Sequence, residues 1–148
     1  MKVTLLVTTF NSLTQKVYTY LKDNGYLVDV VYAINKEQMI SEIDSFKPDI
    51  IFCPFLKKYV PSEIFNTYPT FLLHPGIRGD KGAYSLEHAV FEQKRAWGVV
   101  ILKINENLDG GDIYIEKNFE VTSKTKASIY RNELSNAALS AIKDFFKN

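Results

Sequence analysis

Apolar residues recur along this chain in two alternating rhythms. Short unbroken runs, Val3-Thr4-Leu5-Leu6-Val7 and Ile50-Ile51-Phe52-Cys53 among them, have the length and composition of strands covered on both faces. Between them lie stretches with apolar residues three and four apart, the helical spacing. A strand is predicted over residues 3–8. Thr9-Phe10-Asn11-Ser12 follows, with side chains able to cap a helix that carries Val17, Tyr20 and Leu21 and stops at Asn24-Gly25. A strand over 26–33, an amphipathic helix over 36–46, the turn Lys47-Pro48-Asp49 and a strand over 50–53 complete a βαβαβ order.

The second half alternates less cleanly. A helical turn near 61–65, a strand over 70–73, a glycine-rich loop and a helix over 84–93 are expected. Residues 97–104 and 112–121 read as two strands joined by Leu108-Asp109-Gly110-Gly111, which is a hairpin signature and makes the sheet mixed. A final helix over 125–146 places Ile129, Leu134, Ala138, Ala141, Ile142 and Phe145 on or near one face, and packs back on the sheet. The fold class is α/β, as one domain over residues 1–148.

Composition narrows the partners. The 148 residues are 46% apolar, enough for one core. With 18 basic and 17 acidic side chains, nothing favours a nucleic-acid backbone or an anionic membrane, so a small ligand is expected. The single Cys53 forms no internal disulfide, and no apolar run approaches the roughly 20 residues that span a bilayer. The start, Met1-Lys2 and then a strand, has no signal-peptide pattern, and a cytoplasmic location is expected. One Cys and two His assemble no soft-ligand set, so no metal is expected.

The chemistry gathers between residues 72 and 112. His74 ends a strand and precedes Pro75-Gly76, so its ring points either into the core or into the crevice at the strand ends. A crevice imidazole, titrating near about 6.5 when unperturbed, can stabilise an oxyanion or pass a proton. Asp109 lies in a glycine turn, where Asp-Gly is common as turn chemistry alone; beside an imidazole its carboxylate would orient the ring. Asp112 competes for that role but is expected to be exposed. In the loop His74-Pro75-Gly76-Ile77-Arg78-Gly79-Asp80-Lys81-Gly82, Arg78 and Lys81 could clamp an anion or remain solvated. The loop matches neither a Walker sequence nor the dinucleotide fingerprint. His88 is expected on a helix surface, and Cys53 to be buried and inert.

Several segments are familiar together. Phe10-Asn11-Ser12-Leu13-Thr14-Gln15, Phe46-Lys47-Pro48-Asp49, Pro54-Phe55-Leu56-Lys57, the loop from His74, Trp97-Gly98-Val99 and Tyr130-Arg131-Asn132-Glu133 run nearly end to end. In order and spacing the chain resembles the N-terminal catalytic domain of the formyltransferases that use 10-formyltetrahydrofolate, and within them the N-terminal domain of the HypX (HoxX) hydrogenase-maturation family. The resemblance implies a Rossmann-like domain, a mixed, mostly parallel sheet with helices on both faces. It implies 10-formyltetrahydrofolate as formyl donor. His74 takes the place of the family's catalytic histidine, and Asp109 that of the aspartate orienting it. Pro54, Phe55, Leu56, Lys57, Ile104, Asn105 and Leu108 fall on the family's pterin pocket, with Asn11 beside it.

The family's usual Asn two residues before the His is here Leu72. A leucine donates nothing to an oxyanion, and one lost donor can cost on the order of 10² to 10³ in rate. Asn11, Arg78 and Lys81 are the candidate replacements, and an apolar residue is expected at this position in HypX-like domains too. Three functions are in view. One is formyl transfer to coenzyme A, another small acceptor or water. Another is a folate-binding or regulatory module, or a partner subunit, without turnover. The weakest is sugar-nucleotide N-formylation, for which no nucleotide-binding segment is visible. Since the chain shows no acceptor-binding domain, a complete transferase needs a partner protein, a homo-oligomer or a small acceptor.

Overall fold

A computed structural model describes residues 1–76, 96–106 and 111–147. Six strands form one sheet in the order β2-β1-β3-β4-β5-β6. They are β1 (Lys2–Val7), β2 (Leu27–Tyr32), β3 (Ile50–Cys53), β4 (Thr70–His74), β5 (Ala96–Lys103) and β6 (Ile113–Glu120). β2, β1, β3 and β4 are parallel, while β5 runs antiparallel to β4 and β6 antiparallel to β5. The reversal of β5 against β4 is what makes the sheet mixed, and β6 pairs antiparallel with β5 as the Leu-Asp-Gly-Gly hairpin reading expects.

The helices begin where the sequence supplies caps. Helix α1 (Ser12–Asp23) starts at Asn11, whose Oδ1 accepts from the Thr14 amide at 3.0 Å. Helix α2 (Lys36–Phe46) starts at Asn35 in a capping box with Gln38 and ends on Lys47 at φ 54. A single turn, α3 (Ser62–Phe65), precedes β4. The C-terminal helix begins at Thr125 and comes in three pieces: an α-helical turn Lys126–Ile129, a π-helical turn Tyr130–Leu134 and an α-helix Ser135–Lys147. The sequence predicts that helix as continuous, and the π turn inside it is a difference.

Strand alternation divides the apolar residues between two layers. Leu5, Phe52, Phe71, Leu73 and Ile101 pack against Leu13 and Val17 of α1 and Leu134, Ala138 and Ile142 of the C-terminal helix. Leu6, Ile51 and Cys53 pack against Met39 and Ile43 of α2 and Ile64 of α3. Helices therefore cover both faces. Trp97 is 5% exposed near the start of β5 and donates from Nε1 to the Pro75 carbonyl at 3.0 Å, fastening β5 to the residue after His74. Among the described residues no helix is long and apolar enough to cross a membrane.

Candidate active site

His74 is the last residue of β4 and only 3% exposed. Along β4, Phe71 and Leu73 belong to the α1 layer and Leu72 to the α2 layer, so alternation turns His74 to the α2 face with Leu72. Register sets His74 across from Val100, and Leu72 between Cys53 and Leu102. The ring therefore lies in the protein wall at the carboxyl end of the parallel strands, where open α/β sheets bind ligands.

The same face carries an incompletely covered apolar strip. Leu56, Leu72 and Ile104 are each half-buried and pack against the cluster containing Cys53, Val60 and Ile64. Two of the sequence's pocket residues, Leu56 and Ile104, are thus brought to the face of His74. The Ile104 amide donates to the Thr70 carbonyl at 2.8 Å, which fixes it beside the start of β4. Asn105 is exposed next to it. Cys53 is fully buried, and burial pushes its thiol far above the usual range, as expected of an inert core cysteine.

The segment after β3 has two sides. Pro54 is buried; the Phe55 carbonyl accepts from the Thr8 amide at 2.9 Å, and the Lys57 amide donates to the Thr8 hydroxyl at 2.8 Å. These bonds stitch the loop after β3 to the loop after β1, the point at which strand order reverses. Leu56 faces the α2 layer, whereas the Phe55 ring meets Tyr130 edge-on at 6.1 Å between centroids. The exposed Lys57 holds its Nζ 5.7 Å from the Phe55 centroid.

Asn11 belongs to that second side. Its Oδ1 accepts from the Thr14 amide and hydroxyl, and its Nδ2 donates to the Tyr130 hydroxyl at 3.0 Å. The capping role read from the sequence is present. As a substitute oxyanion donor Asn11 is poorly placed, because Tyr130 packs on the α1 layer and His74 faces the other. Sequence reasoning selected the Tyr130 segment only for its resemblance and gave the tyrosine no role.

The β5–β6 turn leaves the sheet at a position the sequence did not indicate. Lys103 lies across from Phe71, and its amide donates to the Asp112 carbonyl at 2.9 Å, so the turn springs from the start of β4. That is three residues from His74, about 10 Å along the strand. A side chain at Gly111 would overlap the Lys103 carbonyl, so a glycine is required at the turn's exit. Asp112 is exposed, as expected. Asp109 and Leu108 lie outside the described residues, as do Arg78, Lys81, His88 and the expected helix over 84–93. Among the described residues no group of three His, Cys, Asp or Glu side chains could hold a metal ion.

This architecture has known counterparts. A family model described as formyl transferase matches residues 32–144. The hydrogenase maturation factor HoxX of Bradyrhizobium diazoefficiens is 34% identical over 142 residues, 96% of this chain and 25% of HoxX. A multiply substituted variant of HypX from Aquifex aeolicus superposes with a TM-score of 0.96 at 32% identity, covering 100% of this chain and 26% of HypX. HypX from the same organism in complex with tetrahydrofolic acid gives 0.93 at 33% identity, covering 99% and 27%. The chain thus spans about a quarter of the length of these relatives. With a family model matching three quarters of its residues, and with the sheet order, the strand-end histidine and the hairpin all in place, the chain belongs to the formyl transferase family, alongside HypX and HoxX.

Proposed function

We propose that this chain binds 10-formyltetrahydrofolate and transfers its formyl group to an acceptor, with His74 and Asp109 as the catalytic residues. The observation that carries the reading is the placement of a nearly fully buried histidine on the same face as the half-covered strip of Leu56, Leu72 and Ile104, in a chain of this family. The tetrahydrofolic acid bound to the HypX relative supports the choice of donor. The pterin faces lie against Leu56 and Ile104, while backbone groups of residues 54–57 and of Asn105 and Leu108 read its edge.

The chemistry asks little of a metal. The acceptor nucleophile attacks the formyl carbon, the carbonyl oxygen becomes an oxyanion, and an N–H of the His74 imidazole donates to it. Collapse breaks the bond to folate N10, which takes a proton, and the acceptor gives up its own. With coenzyme A the products are formyl-coenzyme A and tetrahydrofolate; with water they are formate and tetrahydrofolate. Asp109 orients the ring. An acceptor larger than the crevice is held with the help of a partner protein or a second copy of the chain.

Leu72 favours a second reading, a folate-binding module without turnover, because the strand offers no side-chain donor beside His74. Absorbance-monitored conversion of 10-formyltetrahydrofolate by wild type and His74→Ala, with and without coenzyme A, separates the two. Transfer predicts turnover that falls by about 10² to 10⁴ in His74→Ala, with the tetrahydrofolate Kd within a few-fold. Binding without turnover in wild type selects the module.

A further inference from the structure

We propose that Trp97 is a positioning residue for His74: by holding the Pro75 carbonyl, its indole N–H fixes the backbone that carries the imidazole. The proposal rests on the formyl-transfer reading above, which makes His74 the catalytic histidine.

Among the described residues, strand pairing of β4 ends at His74. The ladder from β3 reaches as far as Leu72, and the ladder from β5 as far as His74, which lies across from Val100. Strand ends open more readily than strand middles, and Pro75 has no amide with which to extend either ladder. Beyond His74 two bonds fix the backbone. The Gly76 amide donates to the His74 carbonyl at 2.9 Å and closes a three-residue turn. The Pro75 carbonyl, in the middle of that turn, accepts from Trp97 Nε1 at 3.0 Å. Trp97 lies on β5 beyond Val100, so the indole bond continues the link between the two strands where the ladder stops.

The indole is itself firmly based. Trp97 is 5% exposed, lies across from the half-buried Phe119, and belongs to the cluster that contains Leu73, Val99 and Ile101. At the next residue, Gly98, a side chain would overlap Asn118 and come within 2.9 Å of the Lys117 carbonyl, so β5 and β6 approach closely beside Trp97. That cluster is the α1 layer, whereas His74 faces the α2 layer. Trp97 therefore acts through the Pro75 peptide and not on the substrate. An imidazole that donates to an oxyanion has to be in place as the charge develops, and a misplacement of about 1 Å can cost about 10² in rate.

Trp97→Phe keeps an aromatic ring in the core and removes the N–H. Val99→Ala is the control, a fully buried residue of the same strand and layer whose side chain makes no hydrogen bond to Pro75. The experiment measures, for wild type and both variants, melting temperature, tetrahydrofolate Kd, steady-state 10-formyltetrahydrofolate turnover with coenzyme A or water as acceptor, and the His74 imidazole resonances, identified by their absence from His74→Ala. The proposal expects Trp97→Phe to lower kcat about tenfold, the size of one lost hydrogen bond, and to move the His74 resonances, with the KM for 10-formyltetrahydrofolate and the tetrahydrofolate Kd within twofold. Val99→Ala should melt lower than wild type and keep both kcat and the His74 resonances. An unchanged kcat in Trp97→Phe overturns the proposal, as does a fall in kcat with the His74 resonances unmoved. So does a Val99→Ala that matches Trp97→Phe in both, because loss of stability alone then explains the effect. In the wild type the indole N–H of this single tryptophan should exchange slowly with solvent, and rapid exchange overturns the anchor without recourse to any variant. A wild-type chain without turnover overturns the formyl-transfer reading, and the His74 resonances of the two variants then decide whether Trp97 places the ring.

Discussion

Toward α1 and the C-terminal helix the sheet presents Leu5, Phe52, Phe71 and Ile101, none more than 6% exposed. Toward α2, at its β3–β4 end, it presents Leu72, with Leu56 and Ile104 beside it, and all three remain half-buried next to His74. Both surfaces are apolar, and the half-buried strip on the second is the one that sits beside a buried histidine. Uncovered apolar area forgoes roughly 25 cal/mol per Å², and the proposed function has the pterin cover this strip. The proposed function therefore puts stability and binding on different layers, and substitutions on the two should separate in their effects.

The largest effect is expected in the closed part of the core. Trp97→Ala removes a 5%-exposed indole and its bond to the Pro75 carbonyl, and should cost roughly 3 to 5 kcal/mol in thermal or denaturant unfolding. Wild-type-like melting would contradict the packing described for β5. On the open strip the balance reverses. Leu56→Ala should weaken tetrahydrofolate binding by about 1 to 2 kcal/mol in calorimetry, while the melting temperature falls by only a few degrees. Loss of stability without loss of binding would place Leu56 in the core instead.

The smallest effect concerns acid stability. Burial works against the charged form of Glu133, but the Ser123 hydroxyl and the amides of Ser123 and Thr122 outweigh it and hold the carboxyl below its usual value. A lowered carboxylate contributes stability that is complete above the ordinary value of 4.5 and is lost as the pH falls through the lowered one. Discounted for solvent, the contribution is about 1 kcal/mol or less. Glu133→Gln should remove that part of the acid limb in pH-dependent melting and leave folate binding alone.

Much of the fold was legible because its signals are local. Asn11 and Asn35 cap the helices they precede, and the Asp-Gly-Gly turn joins an antiparallel pair. The strand-end position of His74 follows from Pro75-Gly76 alone. What the sequence withheld depends on pairings between distant residues. The register that sends the β5–β6 turn out beside Thr70 and Phe71 comes from β4–β5 pairing, and the bond between Asn11 and Tyr130 joins residues 119 apart. One hidden feature had a local trace. The buried stripe of the C-terminal helix steps by five from Ile129 to Leu134 before resuming steps of four and three, and that is where the π turn lies.

The most direct test is methyl NMR of the chain titrated with tetrahydrofolate. The account predicts that the methyl resonances of Leu56, Leu72 and Ile104 shift, while those of Leu134 and Ile142 on the opposite layer stay in place. Shifts confined to the Leu134 and Ile142 layer, or none at any methyl, would contradict it.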